Sequence, residues 1–113
     1  MSTEDHTRLV HAVRLALGKL PDFRLWQNSR VTFVKGVPRA KPGLGTGSSD
    51  MIGVLAPTGR MVALEAKTGA ARLTREQVLF LNLVRKMGGF ATVVRSVEDA
   101  HAALERARAG ERE

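Results

Sequence analysis

Three residues of this chain have the types and spacing for phosphodiester chemistry: Asp50, Glu65 and Lys67. The two carboxylates are hard oxygen donors suited to Mg²⁺ or Mn²⁺, and the carbonyl of Ala66 can add a third ligand, with water and phosphate oxygens completing an octahedron. Lys67 would hold or deprotonate the attacking water, or offset charge on the phosphate, while the metal lowers that water's pKa. Taken alone, Glu-x-Lys is a weak signal, since many such pairs are surface ion pairs worth at most about 1 kcal/mol. Its specificity comes from Asp50, from the glycine- and lysine-rich stretch before Asp50, and from the basic chain around it. The residues themselves leave two readings open: a metal-dependent phosphodiesterase and an inert nucleic-acid-binding domain.

These residues need a scaffold that brings positions 50 and 65 together. Two apolar runs, Met51 to Leu55 and Met61 to Ala66, flank Pro57-Thr58-Gly59-Arg60, whose Pro and Gly suit a tight reversal between antiparallel strands. With Thr58 and Gly59 as the loop, Pro57 faces Arg60, Ile52 faces Glu65 and Asp50 faces Lys67. That register puts Asp50, Glu65 and Lys67 on one face, with the carboxylates a diagonal step of roughly 7–8 Å apart at the backbone. A slip of one residue would move the set to opposite faces.

The flanking chain supplies the other elements. Thr3 caps a helix running to about Lys19, with Leu9, Val10, Val13 and Leu17 as its buried stripe. His6 and His11 are five apart, cannot face one ion as an i, i+4 pair, and read as ordinary helix residues. Phe23 to Val34 predicts a first strand bent near Gln27-Asn28-Ser29, with Trp26 read as a core residue ahead of the alternative, a base-stacking platform. Lys35 to Ser49 predicts a flexible basic loop, either a solvated crossing or a contact for phosphates. It is not a nucleotide-binding P-loop, because no Gly-Lys-Ser/Thr follows and a strand comes next. Leu73 and Val78 form a hydrophobic staple around a Thr74–Gln77 capping box that opens the next helix, which ends at Gly88-Gly89. A strand from Phe90 to Arg95 and a helix from Val97 to about Ala107, capped by Ser96, complete one domain over residues 1–107, with 108–113 as a short frayed charged tail. Near-continuous apolar strands need cover on both faces, so the expected class is α/β with three layers, a mixed four-stranded sheet flanked by helices in the order αβββαβα.

Composition narrows the partners. The 113 residues carry a net charge of +7 with a pI near 11.1, which favours a polyanionic partner such as nucleic acid. There is no cysteine, which excludes disulfides and thiolate metal sites. No apolar run is long enough to cross a bilayer and nothing at the N-terminus resembles a secretory signal, so a cytoplasmic location is the default expectation.

Gly47-Ser48-Ser49-Asp50-Met51-Ile52-Gly53-Val54, then Ala63-Leu64-Glu65-Ala66-Lys67, then Arg72-Leu73-Thr74-Arg75-Glu76-Gln77, then Gly88-Gly89-Phe90-Ala91 resemble successive motifs of the virus-type replication-repair nuclease (VRR-NUC) family. That family belongs to the PD-(D/E)XK, or restriction-endonuclease-like, superfamily, and the resemblance spans roughly Leu9 to Ala103. It implies a restriction-endonuclease-like core and a Mg²⁺- or Mn²⁺-dependent nuclease, with Asp50 and Glu65 as metal ligands and Lys67 as the catalytic lysine. It further implies that Gln77 points back at the site and that Asn28 lines the cleft. Family members usually place a glutamate on the first helix facing the metal; this chain has His6 there, which leaves the number of metals open. Stand-alone members, often phage-encoded, are homodimers that cut branched DNA such as Holliday junctions. The resulting expectation is a homodimeric, structure-selective DNA endonuclease of phage-type replication, recombination or repair, with Lys35, Arg39, Lys41, Arg72 and Arg75 as contacts to the DNA backbone. The alternatives are a catalytically inactive nuclease-like DNA-binding or scaffold module, and a phosphodiesterase directed at RNA or nucleotides.

Overall fold

A computed structural model of the chain describes residues 3–113, with the side chains of residues 3, 29–34 and 38–42 outside the description. The elements are α1 (Thr3–Leu17), β1 (Phe23–Gln27), β2 (Ser29–Val34), β3 (Val37–Pro42), β4 (Met51–Leu55), β5 (Arg60–Ala66), α2 (Arg75–Lys86), β6 (Phe90–Val94) and α3 (Val97–Arg108). Four strands form one sheet in the order β1-β4-β5-β6. β1, β4 and β5 are an antiparallel meander, and β6 joins β5 in parallel after the α2 crossover. This is the expected mixed sheet and the expected order αβββαβα, with β2 and β3 inserted as a separate two-stranded ribbon between the first and second core strands.

Alternation along the strands sorts side chains into two cores. Phe23, Leu25, Met51, Leu55, Val62, Leu64, Phe90 and Val94 point to one face, where Val10, Val13 and Leu17 of α1 and Ala100, Ala103 and Leu104 of α3 cover them. Ala63 and Ala91 point to the other face under Leu81 and Val84 of α2, with Met61, Phe80 and Val93 at the margin. β5 is therefore covered on both sides, which is why its sequence is nearly all apolar. Gly53 is fixed by packing: a Cβ there would lie 2.5 Å from Phe23 Cζ and 2.6 Å from the Arg24 carbonyl oxygen. At the far end of the β4–β5 hairpin, Arg60 draws the trailing ends of two helices together, donating to the carbonyls of Gly88, just past α2, and Ala107, in the last turn of α3.

Four expectations change. The strand expected over Phe23 to Val34 is two strands, because the chain leaves the main sheet at Asn28. The basic stretch expected to be loop contains β3, which pairs with β2 as Ser29↔Pro42 through Val34↔Val37. Lys35 (φ 53°) and Gly36 (φ 77°) form the two-residue turn, both in the left-handed region that a primed hairpin turn requires. Pro38 and Pro42 argue against a central strand but are tolerated in a two-stranded ribbon, where each strand has an open edge. Trp26, expected in the core, is 54% exposed. The tail after Arg108 is tied down, with Ala91 N–H donating to the Arg112 carbonyl at 2.9 Å.

Candidate active site

The β4–β5 register is Met51↔Leu64 through Leu55↔Arg60, two residues away from the expected pairing. The reason lies in the turn: Ala56 to Gly59 form a four-residue loop, closed by Gly59 N–H on the Leu55 carbonyl, with Gly59 at φ 76°. A shift of two keeps every residue on its expected face, but Asp50 now stands directly opposite Glu65 rather than diagonal to it. The β1–β4 register extends the row to Asn28, whose N–H donates to the Asp50 carbonyl at 2.7 Å. Asn28, Asp50 and Glu65 thus stand side by side across three strands, at the end of the sheet where β4 begins and β5 ends.

The two acids are locked by each other's strands. Asp50 N–H donates to Glu65 Oε1 at 3.0 Å, and Ala66 N–H donates to Asp50 Oδ2 at 2.9 Å. Both carboxylates are buried, Asp50 at 7% and Glu65 at 2% exposure. Burial, followed by the negative charge of Asp50, pushes the Glu65 carboxyl up to about 7, against the opposing pull of Lys67. Lys67 Nζ lies 3.5 Å from Glu65 Oε2 with its side chain largely buried.

Gln77 reaches Glu65 from the first turn of α2. Its Oε1 accepts from Thr74 N–H at 2.9 Å in the capping box, which fixes the amide so that Nε2 donates to Glu65 Oε2 at 2.9 Å. Capping and site contact are therefore one arrangement. The approach to Asp50 packs on the same helix: Gly47, at φ 83°, lies so close to Glu76 that a Cβ would meet its carbonyl oxygen at 2.6 Å. Asn28 braces this segment, its Nδ2 donating to Ser48 Oγ and to the Ser49 carbonyl, both at 2.8 Å. Asn28 therefore holds the peptide that delivers Asp50. Ser49 Oγ is buried, and among the described residues it has no hydrogen-bond partner.

His6 is not an ordinary helix residue. Its Nε2 lies 3.0 Å from Asp50 Oδ2, and the hydrogen bond to Asp50 raises its pKa while partial burial opposes that. The signal was present in the sequence: Val10, Val13 and Leu17 continued one turn toward the N-terminus land on position 6. Of the expected backbone contacts, Lys35 is exposed at the ribbon turn, Arg72 is exposed just before α2 and Arg75 is exposed at its start. Arg39 and Lys41 fall on β3, their side chains outside the described residues.

Among the described residues, no three His, Cys, Asp or Glu side chains form a ready-made cluster for a metal ion. Two facing carboxylates remain, and burial first and the charge of Asp50 second raise the pKa of Glu65. Lys67 beside Glu65 and His6 on Asp50 offset part of the pair's negative charge, and a divalent cation would offset the rest. Mg²⁺ and Mn²⁺ sites of enzymes acting on phosphates commonly use one or two carboxylates, with water and substrate filling the remaining positions. The residues fit such an ion. A groove of about 370 Å³ at the other end of the hairpin, lined in part by Leu55, Pro57, Arg60 and Arg108, contains neither acid. No helix among the described residues is long and apolar enough to cross a membrane. Compared with models of known protein families and with curated proteins, the chain matches none.

Proposed function

We propose that this domain is a Mg²⁺- or Mn²⁺-dependent nuclease of the VRR-NUC kind, hydrolysing DNA phosphodiester bonds. The observation that carries this reading is the facing pair Asp50 and Glu65, bonded to each other's strands, with Lys67 and Gln77 both on Glu65. Asp50, Glu65 and the Ala66 carbonyl would hold the ion, which supplies Lewis acidity toward a phosphate oxygen and lowers the pKa of the attacking water. Gln77 and the Asp50 peptide hold the Glu65 carboxylate in place. Lys67, confined beside it, offers a cationic donor to the phosphate or to the water. Lys35, Arg39, Lys41, Arg72 and Arg75 contribute contacts to the DNA backbone that position the duplex without reading its sequence. Selectivity for branched DNA, homodimerisation and a role in replication, recombination or repair belong to the same proposal through the resemblance.

The test is cleavage of branched and linear DNA in Mg²⁺ and in Mn²⁺. Wild type cleaves; Asp50→Ala and Lys67→Ala lose activity about 100-fold or more. No cleavage by wild type, or equal cleavage by both variants, defeats the proposal in favour of a catalytically silent DNA-binding module.

A further inference from the structure

Trp26 is the only tryptophan of the chain and is 54% exposed on β1. Its partner across the sheet is Ile52, and the partner of Ile52 is Ala63. The row Trp26–Ile52–Ala63 therefore lies on the same face as the row Asn28–Asp50–Glu65, two residues further along each strand. Two residues of strand span roughly 7 Å, close to the rise between neighbouring nucleotides in an extended strand. α2 packs over β5 and β6 on this face and reaches β4 only at Ile52, so Trp26, one row from the acids, and Arg24 and Val54, two rows away, stay exposed. From Phe23 to Ser49 the chain has five cations, Arg24, Arg30, Lys35, Arg39 and Lys41, and no Asp or Glu. A large flat ring is thus held on a rigid strand, one row from the buried carboxylates, in a stretch that attracts polyanions.

We propose that Trp26 is a stacking platform for an unpaired nucleobase next to the phosphate at Asp50 and Glu65, so that the site takes nucleic acid whose bases are splayed or single-stranded there. This rests on the nuclease reading of the same site and sharpens its substrate class. A base inside a duplex has both faces occupied by its neighbours, whereas an unpaired base gains a partner on the indole, and any base suffices because every base has a π-face. Selection for unpaired structure without sequence preference follows.

The single tryptophan is its own reporter. Titration with oligo(dT) in Ca²⁺, which holds the nucleic acid without supporting turnover, quenches the indole emission; a fully paired hairpin duplex leaves it nearly unchanged. Trp26→Ala binds oligo(dT) about 5- to 150-fold more weakly, the loss that base–aromatic stacking carries, with duplex affinity unchanged within about twofold. Trp26→Phe recovers part of the difference. Because the side chain is exposed, both variants keep the wild-type urea midpoint. Absence of quenching, or oligo(dT) affinity of Trp26→Ala equal to wild type, overturns the proposal. So does a loss of sedimentation mass in Trp26→Ala with nucleic-acid affinity intact, which assigns the ring to a second copy of the chain. Failure of the nuclease reading looks different: quenching and the Trp26→Ala defect persist, but no oligonucleotide is cut in Mg²⁺ or Mn²⁺.

Discussion

Replacing Glu65 by Gln removes most of the pH dependence of stability in a metal-free protein and so reverses the order of variant and wild type between acid and alkaline pH. The Glu65 carboxyl titrates at about 7 in the fold against an ordinary 4.5, so between those values the native state binds more protons than the unfolded chain. Stability from this group is complete below about 4.5 and declines as pH rises through about 7, by on the order of 3 kcal/mol. The hydrogen bond to Asp50 raises the His6 pKa as well, so its contribution falls in the same direction, starting above 6.5. Glu65→Gln removes the larger slope. It keeps an oxygen for the Asp50 N–H but turns an amide nitrogen toward Gln77, whose own orientation Thr74 fixes. That mismatch costs about 1 kcal/mol at every pH. The variant is therefore about 1 kcal/mol less stable than wild type at about pH 4.5 and about 2 kcal/mol more stable at about pH 8.5, with a crossing between. Urea denaturation in EDTA across this range measures both curves. Parallel curves, or wild-type stability that rises from pH 5 to 7.5, would refute the reasoning. With Mn²⁺ at about 100 times its Kd, wild type at high pH gains about 2.7 kcal/mol and the variant loses most of that gain.

Thr74→Ala and Gln77→Ala each break the capping box and cost about 1 kcal/mol in urea denaturation, but only Gln77→Ala also frees Glu65 and so lowers DNA cleavage beyond what lost stability explains. Gly53→Ala drives a Cβ into Phe23 and the Arg24 carbonyl and destabilises by about 1–3 kcal/mol, seen as a lower urea midpoint with unchanged metal binding at neutral pH. Lys35→Ala, Arg72→Ala and Arg75→Ala combined flatten the salt dependence of duplex binding by about one unit of slope for each phosphate no longer neutralised, measured by anisotropy in Ca²⁺.

The sequence announced elements wherever local chemistry decided them. Thr74 with Gln77, Ser96 and Gly88-Gly89 set helix limits within a residue or two, because caps act over one turn. The face shared by Asp50, Glu65 and Lys67 was legible because alternation survives any even shift in register. The register itself was not, since Gly59 lies in the loop whether that loop is Thr58-Gly59 or, as formed, Ala56 to Gly59. Trp26 was misplaced because hydrophobicity names the residue type that cores prefer and not the half of a sheet face that a single helix leaves bare. The β2–β3 ribbon hid behind Pro38 and Pro42, whose veto holds for central strands only. The inward position of His6 is legible in the Val10, Val13 and Leu17 stripe, whereas its partner Asp50, 44 positions on, is set by how α1 packs on the sheet.

Arg60 and the helix starts give the molecule an electrical direction. α1 has His6 in its first turns beside Asp50, α2 opens with Gln77 on Glu65, and α3 begins just after Val94, the strand partner of Ala66. All three helices thus start at the end of the sheet that holds the acids, while the trailing ends of α2 and α3 gather at Arg60 on the opposite side. Each helix carries about half a positive charge at its start and half a negative one at its finish. The fold is therefore polarised along the strands, eased around its two carboxylates and attractive to an incoming anion at one end, with a guanidinium balancing the other. That field belongs to the peptide groups, and it persists when surface lysines and arginines are exchanged for neutral residues.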